Sequence, residues 1–336
     1  MSRDSIKGPV LVTGGAGYIG GQTVLCLLDE DIEVVVLDNL SAGRKRPFHD
    51  KTIFYEGSVQ DQKQVEDILL RHEIQSILHF AGSIRVDESI ENPLKYYENN
   101  TDASRKLISA AINAGVARII FSSTAAVYGA VANSAPVVES AETSPLNPYG
   151  WSKLFTERAL HDVFAAHGLQ FGILRYFNVA GADLKQRHGQ FGDNPVHLIG
   201  RAMEAMLGRA GPLEVFGTNL PTPDGTGVRD YIHVTDLAEA HIAILGFLQM
   251  HRDNIKVNLG YGHGYSVLEV VQCLKKISGR EVPYRYVEAR AGEAPSVVAN
   301  VSHLHHNVNW RPKYDDLSVI LKSALDWILF KENLES

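Results

Sequence analysis

Short apolar runs punctuate the first half of the chain. They are "VLVT" (10–13), "EVVVLD" (33–38), "TIFYEG" (52–57), "SILHFAG" (76–82), "RIIFSS" (118–123) and "FGILRYFN" (171–178). Most are aliphatic at successive positions rather than alternating with polar residues, the pattern of strands covered on both faces. Between them, apolar residues recur at helical spacing over 19–30, 62–72, 93–114 and 149–167. Alternating strands and helices predict an α/β fold with a doubly wound parallel sheet. After Gly181 the pattern loosens into long loops rich in Gly, Pro and Asp, "DLKQRHGQFGDNP" and "TNLPTPDGTG". Loops of that length are often functional. Helical periodicity returns at 196–208, 235–250, 266–278 and 315–331, with strand-like pieces at 213–217 and 256–260. This organisation predicts one domain over 1–180, with returning segments near 230–260, and a smaller α/β lobe over 181–336.

Composition narrows the partners. A chain of 336 residues, 45% hydrophobic, can bury a large core. Its net charge of −7 gives no footprint for nucleic acid or an anionic membrane surface. No apolar stretch approaches membrane-spanning length, and the first residues pass straight into a strand without room for a signal peptide. The expected location is cytoplasmic. Cys26 and Cys273 lie in apolar helical patterns and read as reduced thiols. The run "HLHH" at 303–306 has no Cys/His partner at zinc-ligand spacing and falls on an expected exposed helix, so no metal is expected there.

The chemistry is concentrated in three stretches. "VLVTGGAGYIGGQTV" gives strand, glycine turn and helix in that order. Gly15-x-Gly17-x-x-Gly20 and its variant Gly14-x-x-Gly17-x-x-Gly20 both fit a dinucleotide fingerprint. Such glycines let backbone N–H groups approach a pyrophosphate at a helix N-terminus, although a purely structural turn would use them too. Asp38 closes the second strand about 20 residues on. A carboxylate there suits a ribose hydroxyl and repels a 2′-phosphate, favouring NAD over NADP. The first domain therefore reads as an NAD-binding Rossmann unit. In "NPYGWSK", Pro148 fits the first turn of a helix, which puts Tyr149 and Lys153 on one face as an i,i+4 pair. By itself that pair could be an aromatic ring packed on a lysine stem. In "FSSTAAVYG", however, Ser122, Ser123 and Thr124 fall at the carboxyl end of the fifth strand, where open α/β sheets bind ligands. A hydroxyl there with a tyrosine and a lysine makes a proton-handling set. A free phenol is a poor base at neutral pH, and a nearby ammonium together with the positive nicotinamide would favour its phenolate.

Over nearly its whole length the sequence resembles the extended short-chain dehydrogenase/reductases, and within them the UDP-glucose 4-epimerase family. The stretches that carry the resemblance are "LVTGGAGYIG", "LDNLS", "HFAGS", "YYENN", "SSTAAVYG", "NPYGWSK", "LRYFNVAGA", "VFGTNLPTPDGTGVRDYIHVTDLA" and "NLGYG". It implies an isomerase that draws hydride from C4 of a UDP-sugar onto tightly held NAD and returns it to the opposite face, interconverting UDP-galactose and UDP-glucose in galactose metabolism. Tyr149 would be the base, Lys153 its partner, and Thr124 the hydroxyl that bonds the sugar oxygen and relays the proton. The glycine turn with Tyr18 and Ile19 would hold NAD together with Asp38, Asn39, Ser58 and Val59. Phe80, Ala81, Ser83, Asn99, Ser122, Tyr176 and Phe177 would complete the cofactor site with Tyr149 and Lys153. Asn178, His197, Leu198, Val215, Phe216, Arg229, Arg290, Glu293 and Val297 would hold the UDP-sugar beside Thr124 and Tyr149. Two arginines on a pyrophosphate make physical sense, because guanidinium forks match phosphate oxygens.

Three positions depart from the family pattern: Ser58 where an acid is common, Ile84 where a base is common (Arg85 adjoins it), and His197 where Asn is common. Val297 stands where some relatives carry tyrosine, leaving room for an N-acetyl group at C2. The resemblance also implies a homodimer paired through helices 93–114 and 149–167, whose apolar positions include Leu107, Ile108 and Ala111, and Leu154, Phe155 and Leu160. Another UDP-sugar substrate or a net NAD-dependent sugar-nucleotide dehydrogenase stays open. A sugar-nucleotide dehydratase is disfavoured, because Ala125 and Ala126 follow Thr124 where an acid–base pair would be needed. An NAD-sensing binding protein on the same fold would have no use for Tyr149 and Lys153 together.

Overall fold

A computed structural model describes residues 6, 8–130, 135–190, 195, 197–289 and 294–335. Seven strands form a parallel sheet. β1 (Val10–Thr13) lies between β2 (Val34–Asp38) and β4 (Ser76–His79), with β3 (Ile53–Glu56) at the edge beyond β2. On the other side β4 is followed by β5 (Arg118–Thr124), β6 (Gln170–Tyr176) and Ile255–Leu259. The chain winds outward from β1 to β3 and then returns to build the other half from β4. The carboxyl ends of β1 and β4 therefore flank a topological switch point, where such sheets bind ligands.

The all-apolar strands fill both faces. Val12, Val36, Leu78, Ile120 and Leu174 point into one core, which takes in the helices Leu198–Met206 and Val234–Met250. Their neighbours Leu11, Leu37, Ile77, Ile119 and Ile173 join the core with Gln62–Arg71, Ala103–Asn113 and Pro148–His167. Side chains alternate between faces because the strand period is two. In the second half, Leu213–Phe216 pairs with Tyr284–Val287. Val228–Arg229 is flanked by Tyr265–Ser266 and Ser296–Val297.

Several expectations change in detail. The predicted strand 171–178 is divided. β6 stops at Tyr176, and Asn178–Ala180 pairs instead with Tyr231–His233. The expected helix 93–114 is interrupted by a π-helical turn, Tyr97–Asp102, between Pro93–Tyr96 and Ala103–Asn113. A short helix, Val86–Glu91, precedes it. Residue 196, in the expected helix 196–208, lies outside the described residues, and the helix itself is Leu198–Met206. The apolar positions named for a partner are mostly core: Leu107, Ile108, Ala111 and Leu160 are all buried within the chain. Phe155 is exposed, as are Trp151 on the same helix and Ile90 and Leu94 on neighbouring ones.

Cys26 is buried, Cys273 half-buried, and both are free thiols. The helix Ser302–Asn307 buries Leu304 and exposes His303 and His306. Among the described residues no helix is long and apolar enough to cross a membrane, and no group of three His, Cys, Asp or Glu residues is placed to hold a metal ion.

Candidate active site

The glycine turn sits at the switch point, and steric limits explain its residues. Gly14 has φ +71°, and a Cβ on it would lie 2.6 Å from the Ala81 nitrogen. A Cβ on Gly20 would lie 2.2 Å from the Gly14 carbonyl oxygen. Only glycine lets the helix Tyr18–Asp29 start this close to the turn. That helix has no side-chain cap at Gly17 and no acid in its first turn. Its leading N–H groups and positive dipole end suit an anion. The cradle a Cβ would fill and the missing cap both fit a dinucleotide pyrophosphate. Tyr18 is pinned by its hydroxyl, which donates to the Gly181 carbonyl at 2.6 Å, and Ile19 is half-buried beside it.

Asp38 ends β2 and is buried. Its carboxylate accepts from the N–H of Ala16 at 2.9 Å and of Leu40 at 2.8 Å. Further lone pairs stay available for a ribose hydroxyl. Asn39 is exposed, its side-chain oxygen held by Ser41. Ser58 is half-buried and accepts from the Gln60 N–H, whereas the Val59 side chain is in the core. A ligand contact at Val59 would therefore run through backbone. Ser83 and Asn99 meet at 3.3 Å, and Gln60 donates to Asn99 at 2.9 Å, closing the rim between β3 and the π turn. Ile84 and Arg85 are exposed, Arg85 paired with Asp87.

The predicted helix start at Pro148 is in place. Asn147 caps it by accepting from the Gly150 N–H at 2.9 Å, and Tyr149 and Lys153 share a face. Gly150 allows close approach, since a Cβ there would come within 2.9 Å of the Ala126 carbonyl oxygen. Thr124, at the end of β5, has its hydroxyl beside the Tyr149 phenol and accepts from the Ala126 N–H. Burial raises the Tyr149 phenol above its ordinary range, and the Thr124 hydroxyl beside it pulls it down. Lys153 is buried. Its Nζ donates to the Ser122 carbonyl at 3.0 Å and lies 5.0 Å from the Phe121 ring. Burial pushes that ammonium down to about 8. Among the protein's own groups the causes acting on the Tyr149 phenol are burial and the Thr124 hydroxyl, while the Lys153 head lies at the Ser122 carbonyl. The Ser122 and Tyr176 hydroxyls are bonded to each other, and Phe80 and Ala81 are half-buried at the end of β4.

The candidate sugar-nucleotide residues are gathered less tightly. Asn178 begins the strand paired with Tyr231–His233, and Phe177 is buried behind it. His197 is exposed at the start of the helix that opens with Leu198, which is half-buried. Val215 is fully buried in the core, so only its backbone could meet a ligand, and Phe216 is half-buried beside it. Val297 pairs in register with Arg229 and packs in the cluster of Val127, Tyr128 and Phe177. That cluster also takes in Ala125 and Leu154, which brings Val297 close to the strand end carrying Thr124. Arg290 and Glu293 lie outside the described residues.

Some supporting residues were not visible as motifs. Asn100, buried in the π turn, accepts from the Ser83 N–H at 2.7 Å and donates to the Ser83 carbonyl and the Ser152 hydroxyl, each at 3.0 Å. It joins the loop after β4 to the helix bearing Tyr149. Glu157, one turn beyond Lys153, forms a buried ion pair with Arg175 of β6 and accepts from Ser123 of β5 at 2.5 Å. The i,i+4 continuation Tyr149, Lys153, Glu157 was the available signal.

Known proteins are similar to this chain in sequence and fold. The profile of the "NAD dependent epimerase/dehydratase family" matches residues 10–260. A UDP-glucose 4-epimerase of Azospirillum brasilense is 48% identical over 318 residues, spanning 95% of this chain and 91% of the relative. A UDP-glucose-4-epimerase from Stenotrophomonas maltophila, solved with bound NAD and formylated UDP-arabinopyranose, has TM-score 0.94 at 35% identity over 98% of this chain and 100% of that one. The UDP-Glc/GlcNAc 4-epimerase from Campylobacter jejuni has TM-score 0.86 at 42% identity, with 96% and 99% covered. The chain belongs to the NAD dependent epimerase/dehydratase family.

Proposed function

We propose that the chain catalyses the reversible, NAD-dependent 4-epimerisation of UDP-galactose and UDP-glucose through a transient 4-keto sugar. The observation that carries this reading is the placement of Thr124 at the end of β5 beside Tyr149, which shares a helix face with the buried Lys153, while Ala125 and Ala126, which cannot transfer protons, follow Thr124. The relatives named UDP-glucose 4-epimerases, one of them solved with NAD, support the same reaction. The turn from Gly14 to Gly20, Asp38 and Lys153 would hold the dinucleotide. Bound NAD supplies a hydride acceptor and donor for C4 of the sugar and a positive ring that favours the Tyr149 phenolate. Tyr149 takes the proton of the 4-hydroxyl and later returns it, and Thr124 steadies the sugar oxygen and the phenol. Lys153, fixed to the Ser122 carbonyl, keeps a cation beside the site.

The test has two parts. Denaturing the purified chain is expected to release NAD, and epimerisation is expected without added cofactor. Tyr149→Phe should lower turnover by about 100-fold, the usual scale of positioned acid–base catalysis. Near-normal turnover in that variant, or a strict need for added NAD with net NADH release, would overturn the proposal.

The working unit proposed is a homodimer paired through the exposed apolar residues Ile90, Leu94, Trp151 and Phe155. Light scattering should give about twice 37.0 kDa, and a 37.0 kDa particle at micromolar concentration counts against pairing. A cytoplasmic location is proposed with it, supported by the free thiols of Cys26 and Cys273.

A further inference from the structure

Asp230 follows Arg229 and is fully buried, yet no step above uses it. Its carboxylate is a junction of the chain. Oδ1 accepts from the Tyr261 N–H at 2.8 Å, and Oδ2 accepts from Gly262 at 3.0 Å and Ala299 at 3.2 Å. The Asp230 N–H donates to the Val297 carbonyl at 3.2 Å, and its own carbonyl accepts from the Asn178 N–H at 3.0 Å. Behind the carboxylate the chain is glycine for a steric reason: a Cβ on Gly260 would lie 2.4 Å from Oδ2. The strands at this junction, Val228–Arg229 and Ser296–Val297, are only two residues long. Their own ladder offers few bonds, so their alignment depends on what holds them from behind. Asp230 does so from both its backbone and its side chain, and the segments it joins carry Asn178, Arg229 and Val297.

We infer that Asp230 is a positioning residue that fixes Val297 and Asn178 around Arg229 and so sets the geometry of the UDP-sugar site. The inference rests on the function proposed above. Among the described residues Asp230 bonds to Tyr261, Gly262, Ala299, Val297 and Asn178 and not to the glycine turn or Tyr149, so its influence should fall on the sugar nucleotide and spare the dinucleotide.

Asp230→Asn keeps the shape but sets an NH2 group against a backbone N–H donor, because three donors converge on two oxygens and only one stays an acceptor. The expected result is a rise of about tenfold or more in KM for UDP-galactose and in the Kd of UDP measured by calorimetry, the scale of one buried hydrogen bond lost. NAD released on denaturation and kcat at saturation should stay near wild type. Gly260→Ala provides a second route, since its methyl group presses on Oδ2, and it should raise the same KM. A general fold support would instead lower NAD content, kcat and UDP affinity together, and that pattern overturns the inference, as does an unchanged KM and Kd in Asp230→Asn. If Asp230→Asn does not fold, Gly260→Ala decides alone, and an unchanged KM there overturns it. A wild-type chain that binds no UDP removes the proposed function and this inference with it. Wild-type UDP binding with unaffected variants removes this inference only.

Discussion

The Glu157–Arg175 pair offers a perturbation whose size can be worked from the structure. Both residues are almost wholly buried. Arg175 Nε donates to the two Glu157 oxygens at 2.9 and 3.2 Å, and Nη2 adds a third contact at 2.5 Å. The guanidinium lies 4.9 Å from the Tyr128 ring and reaches the Glu139 carbonyl at 3.3 Å. Glu157→Leu leaves that cation buried without its counter-charge, a loss of about 3–5 kcal/mol. Unfolding entropy of about 2.1 cal/mol/K per residue gives about 0.7 kcal/mol/K for 336 residues. The melting temperature should therefore fall by about 4–7 °C. The double variant Glu157→Leu/Arg175→Met exchanges the pair for apolar groups of similar bulk, and it should recover most of that loss. Circular dichroism melts of the purified wild type, both single variants and the double variant measure this directly. A single variant within about 1 °C of wild type, or a double variant that merely adds the two losses, would refute the reasoning.

Gly20→Ala should abolish retention of NAD while leaving the far-ultraviolet spectrum intact, because its Cβ would sit 2.2 Å from a backbone oxygen of the turn; wild-type NAD content in that variant sinks the steric account. Acid sensitivity should follow the buried histidines, since burial pushes His79 down to about 3 and His188, His233 and His241 to about 4. In the unfolded chain they protonate near 6.5 while the folded state resists, so stability is intact above 6.5 and falls as pH drops toward 4, by up to about 1.4 kcal/mol per pH unit per histidine; a melting temperature flat from pH 7 to 5 contradicts this. Val297→Tyr should reduce activity on UDP-N-acetylglucosamine more than on UDP-galactose, and an unchanged ratio of activities means that Val297 does not gate the sugar.

Much of the sheet could be read because its strands are covered on both faces, which leaves runs such as Val34–Leu37 with no polar position to confuse with a helix. The start of the helix at Pro148 was equally local, since Asn147 and Pro148 are adjacent in sequence and their roles depend on nothing distant. The π turn at Tyr97–Asp102 had no such signal. It is set by tertiary demands, such as Asn100 reaching Ser83 and Ser152 together, which no spacing within "YYENNTD" reveals. The same blindness affected the apolar positions Leu107, Ile108, Ala111 and Leu160. An amphipathic stripe looks alike whether it faces the sheet or another subunit, and here it faces the sheet.

For the candidate site, the placement of Tyr149 and Lys153 on one helix face was legible and their electrostatics was not. The i,i+4 spacing places Lys153 on the same face as Tyr149, and the structure agrees. Sharing a face does not fix where a four-carbon side chain ends, and its head goes to the Ser122 carbonyl. The sign of the net effect on Tyr149 then depends on burial, which raises the phenol, against Thr124, which lowers it. A one-dimensional pattern carries neither quantity, because desolvation is set by everything that packs around the ring, Tyr96 edge-on at 6.4 Å included. In a fold of this kind the motif places the proposed proton carrier, whereas the surrounding core decides how much additional positive charge a phenol there needs before it can act as a base.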